Sequence, residues 1–150
     1  MNEKISRKEY GEKFILRVLF NKFICLITML PMITSLRTFL HHLTGTKMGK
    51  NVFMAAYVFI DDQYPELITI EDRVVISPIC TIIAHDDSKG IVSLVTIKRN
   101  AYIGACATIL PGVIIGEGAV VGAGTTIARD VPPNTTIVGA QARIIKGEGE

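Results

Sequence analysis

The 150-residue chain has few of the residues that define disulfide-linked or metal-bound domains. Its three cysteines, Cys25, Cys80 and Cys106, are odd in number and form no C-x-x-C pair. This usage predicts reduced side chains in a cytoplasmic protein and excludes a disulfide or cysteine–metal framework. Of the three histidines, only His85 lies outside the first 45 residues. The three-histidine zinc site of a carbonic anhydrase is therefore excluded, and we expect no metal.

The chain also lacks a run of Lys and Arg and has no aromatic platform, which argues against a nucleic-acid partner. Its charge is instead divided along the sequence. Residues 1–50 carry nine Lys/Arg against three Asp/Glu, a net +6, and residues 51–150 carry seven against eleven, a net −4. The positive charge of residues 1–50 therefore needs an explanation other than nucleic-acid binding.

A long hydrophobic run is missing as well. The longest uncharged apolar run near the front, residues 23–36, has 14 residues and contains Pro31, whereas a spanning helix needs roughly 18 or more. Glu3, Glu9 and Glu12 do not fit the start of an export signal. We therefore expect neither a membrane-spanning helix nor an export signal, and we predict a cytoplasmic location.

Two helices are predicted in the front segment, the first over residues 5–30 and the second from about Thr34 to a stop at Gly45. Both have broad apolar faces. Two interpretations stay open: the helices pack on the rest of the protein or across a subunit contact, or they attach the protein to a membrane surface.

What the sequence does contain is a six-residue period. Its apolar positions are Val52, Val58, Tyr64, Ile70, Ile76 and Ile82 in a first block and Ile97, Ile103, Ile109, Ile115, Val121 and Ile127 in a second. A helix repeats at 3.6 and a strand at 2, so a period of six indicates short strands joined by sharp turns in a solenoid. Three such faces make an 18-residue coil, which stacks Ile97 on Ile115.

The two blocks are out of phase, because Ile82 and Ile97 are fifteen residues apart. Residues 84–96 are therefore predicted to leave the wall as a loop that carries His85. Imidazole is the side chain best suited to accept a proton near neutral pH. Asp86 and Asp87 are candidates to orient its ring, or are solvated turn residues. No G-x-S-x-G motif and no adjacent Cys–His pair offers a nucleophile instead.

Three segments carry a family resemblance: IGACATILPGV at 103–113, IGEGAVVGAG at 115–124 and DVPP at 130–133. They resemble the left-handed β-helix hexapeptide-repeat acyltransferases, most closely the galactoside, maltose and colanic-acid O-acetyltransferase branch. The resemblance implies an all-β solenoid, a left-handed parallel β-helix over residues 46–146, preceded by the helical segment 1–45. Residues 147–150 are expected to form a disordered tail.

The resemblance also implies a homotrimer that binds acetyl-CoA between subunits, with His85 as general base and backbone N–H groups stabilising the oxyanion. The implied cofactor positions are Ala105 and Ala123 at the coil edge, Ala128 and Arg129 after the last coil, and Arg143 and Lys146 near the CoA phosphates. The expected activity is acetyl transfer to a hydroxyl or amine of a sugar or similar small acceptor. The alternative is a non-catalytic β-helix that serves in assembly or binding.

Overall fold

The computed structural model describes residues 4–10, 14–30 and 32–139. The front of the chain forms strand β1 (Lys4–Ser6), a short helix α1 (Arg7–Tyr10) and two longer helices, α2 (Ile15–Thr28) and α3 (Thr34–Thr44). From residue 47 onward the chain winds into a solenoid of short parallel strands. Within the described residues, no helix combines the length and the apolar character needed to cross a membrane.

The solenoid has three parallel sheets, which the chain visits in turn. Sheet 1 holds β2 (Lys47–Met48), β5 (Ile68–Ile70), β10 (Val95–Ile97) and β13 (Ile114–Ile115). Sheet 2 holds β3 (Phe53–Met54), β6 (Val75–Ile76), β11 (Tyr102–Ile103), β14 (Val120–Val121) and β16 (Thr136–Ile137). Sheet 3 holds β4 (Phe59–Ile60), β7 (Thr81–Ile82), β12 (Thr108–Ile109) and β15 (Thr126–Ile127). The predicted left-handed parallel β-helix is confirmed.

The second block of the period stacks as predicted. Ile97 pairs with Ile115 and Ile103 with Val121, in the register of one coil on the next. These inward side chains are fully buried. Because each strand contributes only one or two residues to a wall, one aliphatic side chain per six residues is enough to fill the coil.

The phase predicted for the start of the first block is wrong. The strand residues that pair with Ile70, Ile76 and Ile82 are Met48, Met54 and Ile60, not Val52, Val58 and Tyr64. The latter three are buried but lie outside the strands. The paired residues are 22 apart instead of 18, so four extra residues leave the wall between β4 and β5, around the 3₁₀ turn Pro65–Leu67.

The predicted loop is real but shorter than 84–96, because Val95 and Thr96 already pair in sheet 1. It contains two antiparallel strands, β8 (His85–Asp86) and β9 (Ile91–Ser93). The first predicted helix is also wrong at its start. Lys4–Ser6 pairs with β9 as a third strand, because the free edge of the extruded loop offers backbone groups that need partners.

The second predicted helix is confirmed, with Gly45 ending it at φ 109°, a left-handed conformation that favours glycine. Pro31 and the predicted tail at 147–150 lie outside the described residues. The division into segments 1–45 and 46–146 stays a prediction.

Candidate active site

His85 stands where the chain leaves sheet 3, three residues after Ile82. Its side chain is only 15% exposed, so His85 is mostly buried although it lies in the predicted loop. The ring of Tyr64 packs against it, with the ring centroids 5.8 Å apart. The imidazole is therefore held by its surroundings and does not move freely in solvent.

The orienting partner of His85 is Asp61, the residue that directly follows β4. Asp61 Oδ2 lies 2.5 Å from His85 Nδ1. The Asp61 side chain is fully buried, and its carboxylate also accepts the backbone N–H groups of Gln63, Tyr64 and Ala84 at 2.9, 3.0 and 2.9 Å. Since a carboxylate only accepts hydrogen bonds, Nδ1 is the donor in this contact, and in the neutral imidazole Nε2 then keeps its lone pair.

The sequence interpretation missed Asp61 and placed its candidates beside the histidine. Asp86 instead caps its own turn: its carboxylate accepts from the Ser88 hydroxyl at 2.6 Å and pairs with Lys89 Nζ at 3.1 Å. The hydrogen bonds from Ser88 and Lys89 lower the pKa of Asp86 to about 2. The turn-residue interpretation was correct for Asp86.

One signal in the sequence could have found Asp61. The apolar spacing changes phase between Ile60 and Ile70, just as it does between Ile82 and Ile97. Each change marks an insertion at the same end of sheet 3, because β4 and β7 are neighbours there. Two insertions that leave adjacent strands at the same edge must meet, and they bring Asp61 to His85.

Arg7 joins the front of the chain to this site. Its guanidinium donates to Tyr64 Oη at 2.9 Å, to Gln63 Oε1 at 3.0 Å and to Asp87 Oδ1 at 2.6 Å. The other oxygen of Asp87 lies 3.6 Å from His85 Nε2. Asp87 thus faces Arg7 with one oxygen and the imidazole with the other, and the hydrogen bond to Tyr64 raises the pKa of the guanidinium.

A cavity of about 430 Å³ opens beside His85. Leu110, Pro111 and Ala128 form an apolar wall opposite the charged side chains of Lys4, Asp86, Asp87 and Lys89. The predicted cofactor position Ala128 thus lies in the same cavity as the predicted base. A cavity with one apolar and one polar wall is typical of small-molecule sites.

The other predicted cofactor positions occupy two places. Ala105 and Ala123 stack in the turn that precedes sheet 3, where Gly124 N–H donates to the Ala105 carbonyl at 2.8 Å. Arg129 is exposed directly after Ala128. Arg143 and Lys146 lie outside the described residues.

Two of the three cysteines, Cys25 and Cys80, are buried, whereas Cys106 is exposed in the turn that precedes sheet 3. Burial raises the pKa of Cys25 to about 12 and raises that of Cys80 as well, so these thiols stay protonated. Among the residues with described positions, no group of three or more His, Cys, Asp or Glu could hold a metal ion. The described residues thus bring together an oriented imidazole and a cavity.

Comparison with known proteins supports this interpretation. Residues 95–129 match the family of the bacterial transferase hexapeptide (six repeats). The chain is 40% identical over 111 residues to the YvoF protein of Bacillus subtilis (strain 168), provisionally named an acetyltransferase, covering 73% of this chain and 62% of that protein. It is 34% identical over 108 residues to the galactoside O-acetyltransferase of Escherichia coli (strain K12), covering 66% and 52%.

The fold also matches a solved structure. A hexapeptide-repeat acetyltransferase from Vibrio cholerae O1 biovar eltor, complexed with acetyl coenzyme A, superposes with a TM-score of 0.69 and 23% identity, covering 97% of this chain and 100% of that one. The fold class of the protein is therefore a left-handed β-helix of hexapeptide repeats. The predicted resemblance to the hexapeptide-repeat acyltransferases, including the galactoside branch, is confirmed. The chain spans less than two thirds of the length of the two curated relatives.

Proposed function

We propose that the protein is a CoA-dependent acetyltransferase that acetylates a hydroxyl or amine of a sugar or similar small acceptor. The observation that carries this proposal is the buried Asp61–His85 pair beside the 430 Å³ cavity. Asp61 binds Nδ1, which leaves Nε2 as the proton acceptor of the site. The relatives named above carry acetyltransferase names, which supports the same reaction class.

The proposed chemistry is a direct transfer. His85 Nε2 removes the acceptor's proton as the acceptor oxygen or nitrogen forms a bond to the thioester carbonyl carbon. The C–S bond then breaks, and the imidazolium returns the proton to the departing CoA thiolate. Asp61 stabilises the imidazolium that forms in between. No covalent enzyme intermediate is required, and backbone N–H groups of a neighbouring coil would bind the oxyanion.

We place the acetyl-CoA along sheet 3. Its thioester end would lie at Ala128, beside His85, and its pantetheine arm would follow the stacked turn at Ala105 and Ala123. Arg143 and Lys146 are proposed to contact the phosphates, and Arg129, which is exposed, is proposed to contact the cofactor beside Ala128. Small side chains suit this path, because a narrow arm can then reach backbone amides.

The active unit is proposed to be a homotrimer. The outer face of sheet 2 exposes Phe53 on β3, Tyr102 on β11 and Val120 on β14, which are large apolar side chains on one sheet. Such a face is typical of a subunit contact in a symmetric oligomer. Light scattering should report three chains, and a stable monomer at micromolar concentration would contradict the proposal.

The decisive experiment measures thiol release from acetyl-CoA by the purified chain over a panel of sugars, nucleotide sugars and amines. We expect turnover with at least one hydroxylated or aminated acceptor, and a loss of about 10²–10⁴-fold in kcat in His85→Ala. CoA affinity, measured by calorimetry, should stay unchanged in this variant. A chain that binds no CoA and transfers no acetyl group would favour the non-catalytic binding module instead.

A further inference from the structure

The two longer helices expose an unusually apolar surface. The helical hairpin, defined here as α2, α3 and the turn between them, contains most of the large hydrophobic side chains that the described part of the chain leaves exposed. They are Ile15, Leu16, Leu19, Phe20, Phe23, Leu26, Leu30, Ile33, Leu36, Phe39 and Leu43. A soluble monomer rarely exposes a contiguous apolar area of this kind without a partner.

The turn of the hairpin is as apolar as its sides. Residues 29–33 read MLPMI, whereas a turn in water is usually built from Gly, Asn, Asp, Ser or Pro. Leu30 and Ile33 are 58% and 71% exposed. Leu30 and Ile33 therefore give the hairpin an apolar, exposed tip, defined here as residues 29–33.

Two backbone carbonyls where α2 runs into this turn are hydrogen-bonded from inside the protein. Arg37, which is 3% exposed, donates to the carbonyl oxygens of Thr28 and Leu30 at 3.0 and 3.3 Å and to that of Met54 in β3 at 2.9 Å. The Thr28 hydroxyl donates to the Cys25 carbonyl at 2.8 Å. Carbonyls at a helix end need such partners wherever water is absent, so this backbone is prepared for an apolar environment.

The charge around the hairpin has one sign. Residues 14–50 contain five Lys/Arg and no Asp or Glu. Lys22, Lys47 and Lys50 are exposed, whereas Arg17 donates to the Leu43 and Thr44 carbonyls at the end of α3. Basic side chains beside an apolar helical face are the combination that binds anionic lipid headgroups.

We propose that the helical hairpin binds the surface of an anionic lipid bilayer, with its tip, residues 29–33, inserted most deeply. α2 has 14 residues, about 21 Å of helix, and would lie in the interface between headgroups and acyl chains. The buried face of the hairpin packs on the first coil, where Arg37 donates to the Met54 carbonyl and Cys25 to the Ile60 carbonyl, and the proposal assigns its exposed face to lipid. It does not depend on the proposed enzymatic activity.

The chain contains no tryptophan, so a single introduced indole reports its own environment. We would compare Ile33→Trp at the tip with Val138→Trp, a control at an apolar position that is 67% exposed on the opposite part of the chain. With phosphatidylglycerol-containing vesicles, Ile33→Trp emission should shift to the blue and be quenched by brominated lipid. Val138→Trp should do neither.

Vesicle flotation of the unlabelled protein gives an independent measurement. The double variant Leu30→Glu/Ile33→Glu should lower the vesicle partition coefficient by at least about tenfold, because each exposed apolar contact is replaced by a charge repelled by the lipid. Circular dichroism checks that the variant is folded, and Lys22→Glu serves as a milder second variant.

Three results would overturn the proposal: unchanged Ile33→Trp emission with vesicles, equal flotation of wild type and both variants, or equal binding to purely zwitterionic vesicles. A fourth would reassign the face to a second copy of the chain. In that case Ile33→Trp emission would shift with protein concentration in lipid-free solution, and light scattering of Leu30→Glu/Ile33→Glu would show a smaller oligomer.

Discussion

Replacement of Asp61 by asparagine tests the orientation of the proposed base with almost no change in shape. Four N–H donors converge on this carboxylate: those of Gln63 and Tyr64 on Oδ1, and those of Ala84 and His85 Nδ1 on Oδ2. An asparagine side chain has one acceptor oxygen and one NH₂ group. The asparagine oxygen can accept from one pair of these donors. Its NH₂ group then faces the N–H groups of the other pair.

The expected effect on turnover follows from the tautomer. If the asparagine oxygen keeps Gln63 and Tyr64, its NH₂ faces His85 Nδ1, which must then accept a hydrogen bond and give up its proton to Nε2. Nε2 can no longer take the acceptor's proton, so kcat should fall by about 10²–10⁴-fold. The Ala84 N–H loses its partner as well, which should cost about 1–3 kcal/mol of unfolding free energy.

The assay combines steady-state acetyl transfer with thermal unfolding, calorimetry of CoA and a variant cycle. CoA affinity should be unchanged, and Asp61→Asn/His85→Ala should be no slower than His85→Ala alone, because the two residues act as one unit. Asp62→Asn makes the same chemical change one residue later and should leave kcat intact. If Asp61→Asn keeps more than about a tenth of native turnover, Asp61 does not set the tautomer of the base.

Three further predictions concern the surroundings of the site and the coil. Arg7→Met removes the cation that balances the charge of Asp87, whose other oxygen lies 3.6 Å from His85 Nε2. The unbalanced carboxylate should then hold Nε2 more strongly and lower kcat about fivefold, since an ion pair this exposed is worth about 1 kcal/mol. Burial lowers the pKa of His41 from 6.5 to about 4, so the unfolded chain takes up a proton first as the pH falls. The neutral, buried His41 therefore contributes about 3 kcal/mol to the unfolding free energy above pH 6.5, and this contribution is lost as the pH falls toward 4. Gly104→Ala would place a Cβ 2.5 Å from the Ala123 nitrogen on the next coil and should destabilise the fold by about 1–3 kcal/mol or more.

Each of these has a matched control. Adding Asp87→Asn to Arg7→Met should restore turnover, and persistent loss would show that Arg7 acts otherwise. Chemical denaturation at several pH values should give a flatter pH dependence in His41→Leu but not in His42→Ala, whose side chain is exposed; parallel curves for all three proteins would contradict the assignment. Gly90→Ala, whose Cβ meets nothing within 4 Å, should cost only about 1 kcal/mol by comparison.

The coil and its register could be predicted from the sequence because the pattern that makes them is local. A buried aliphatic residue every six positions, from Ile97 to Ile127, leaves a single way to stack three short strands per coil. His85 could be identified for the same reason, since any break in the period must leave the wall. Gly45 was equally readable as a helix stop, because its left-handed φ is a local requirement.

The partners of His85 were decided by the tertiary structure alone. Asp61 is 24 residues away in sequence and reaches the ring only because two insertions leave neighbouring strands at the same edge. Arg7 is 80 residues from Asp87 and arrives through a strand, Lys4–Ser6, whose own sequence favoured a helix. The pairing of that strand depends on a free edge that exists only after the loop has been extruded, and no local propensity records such an edge.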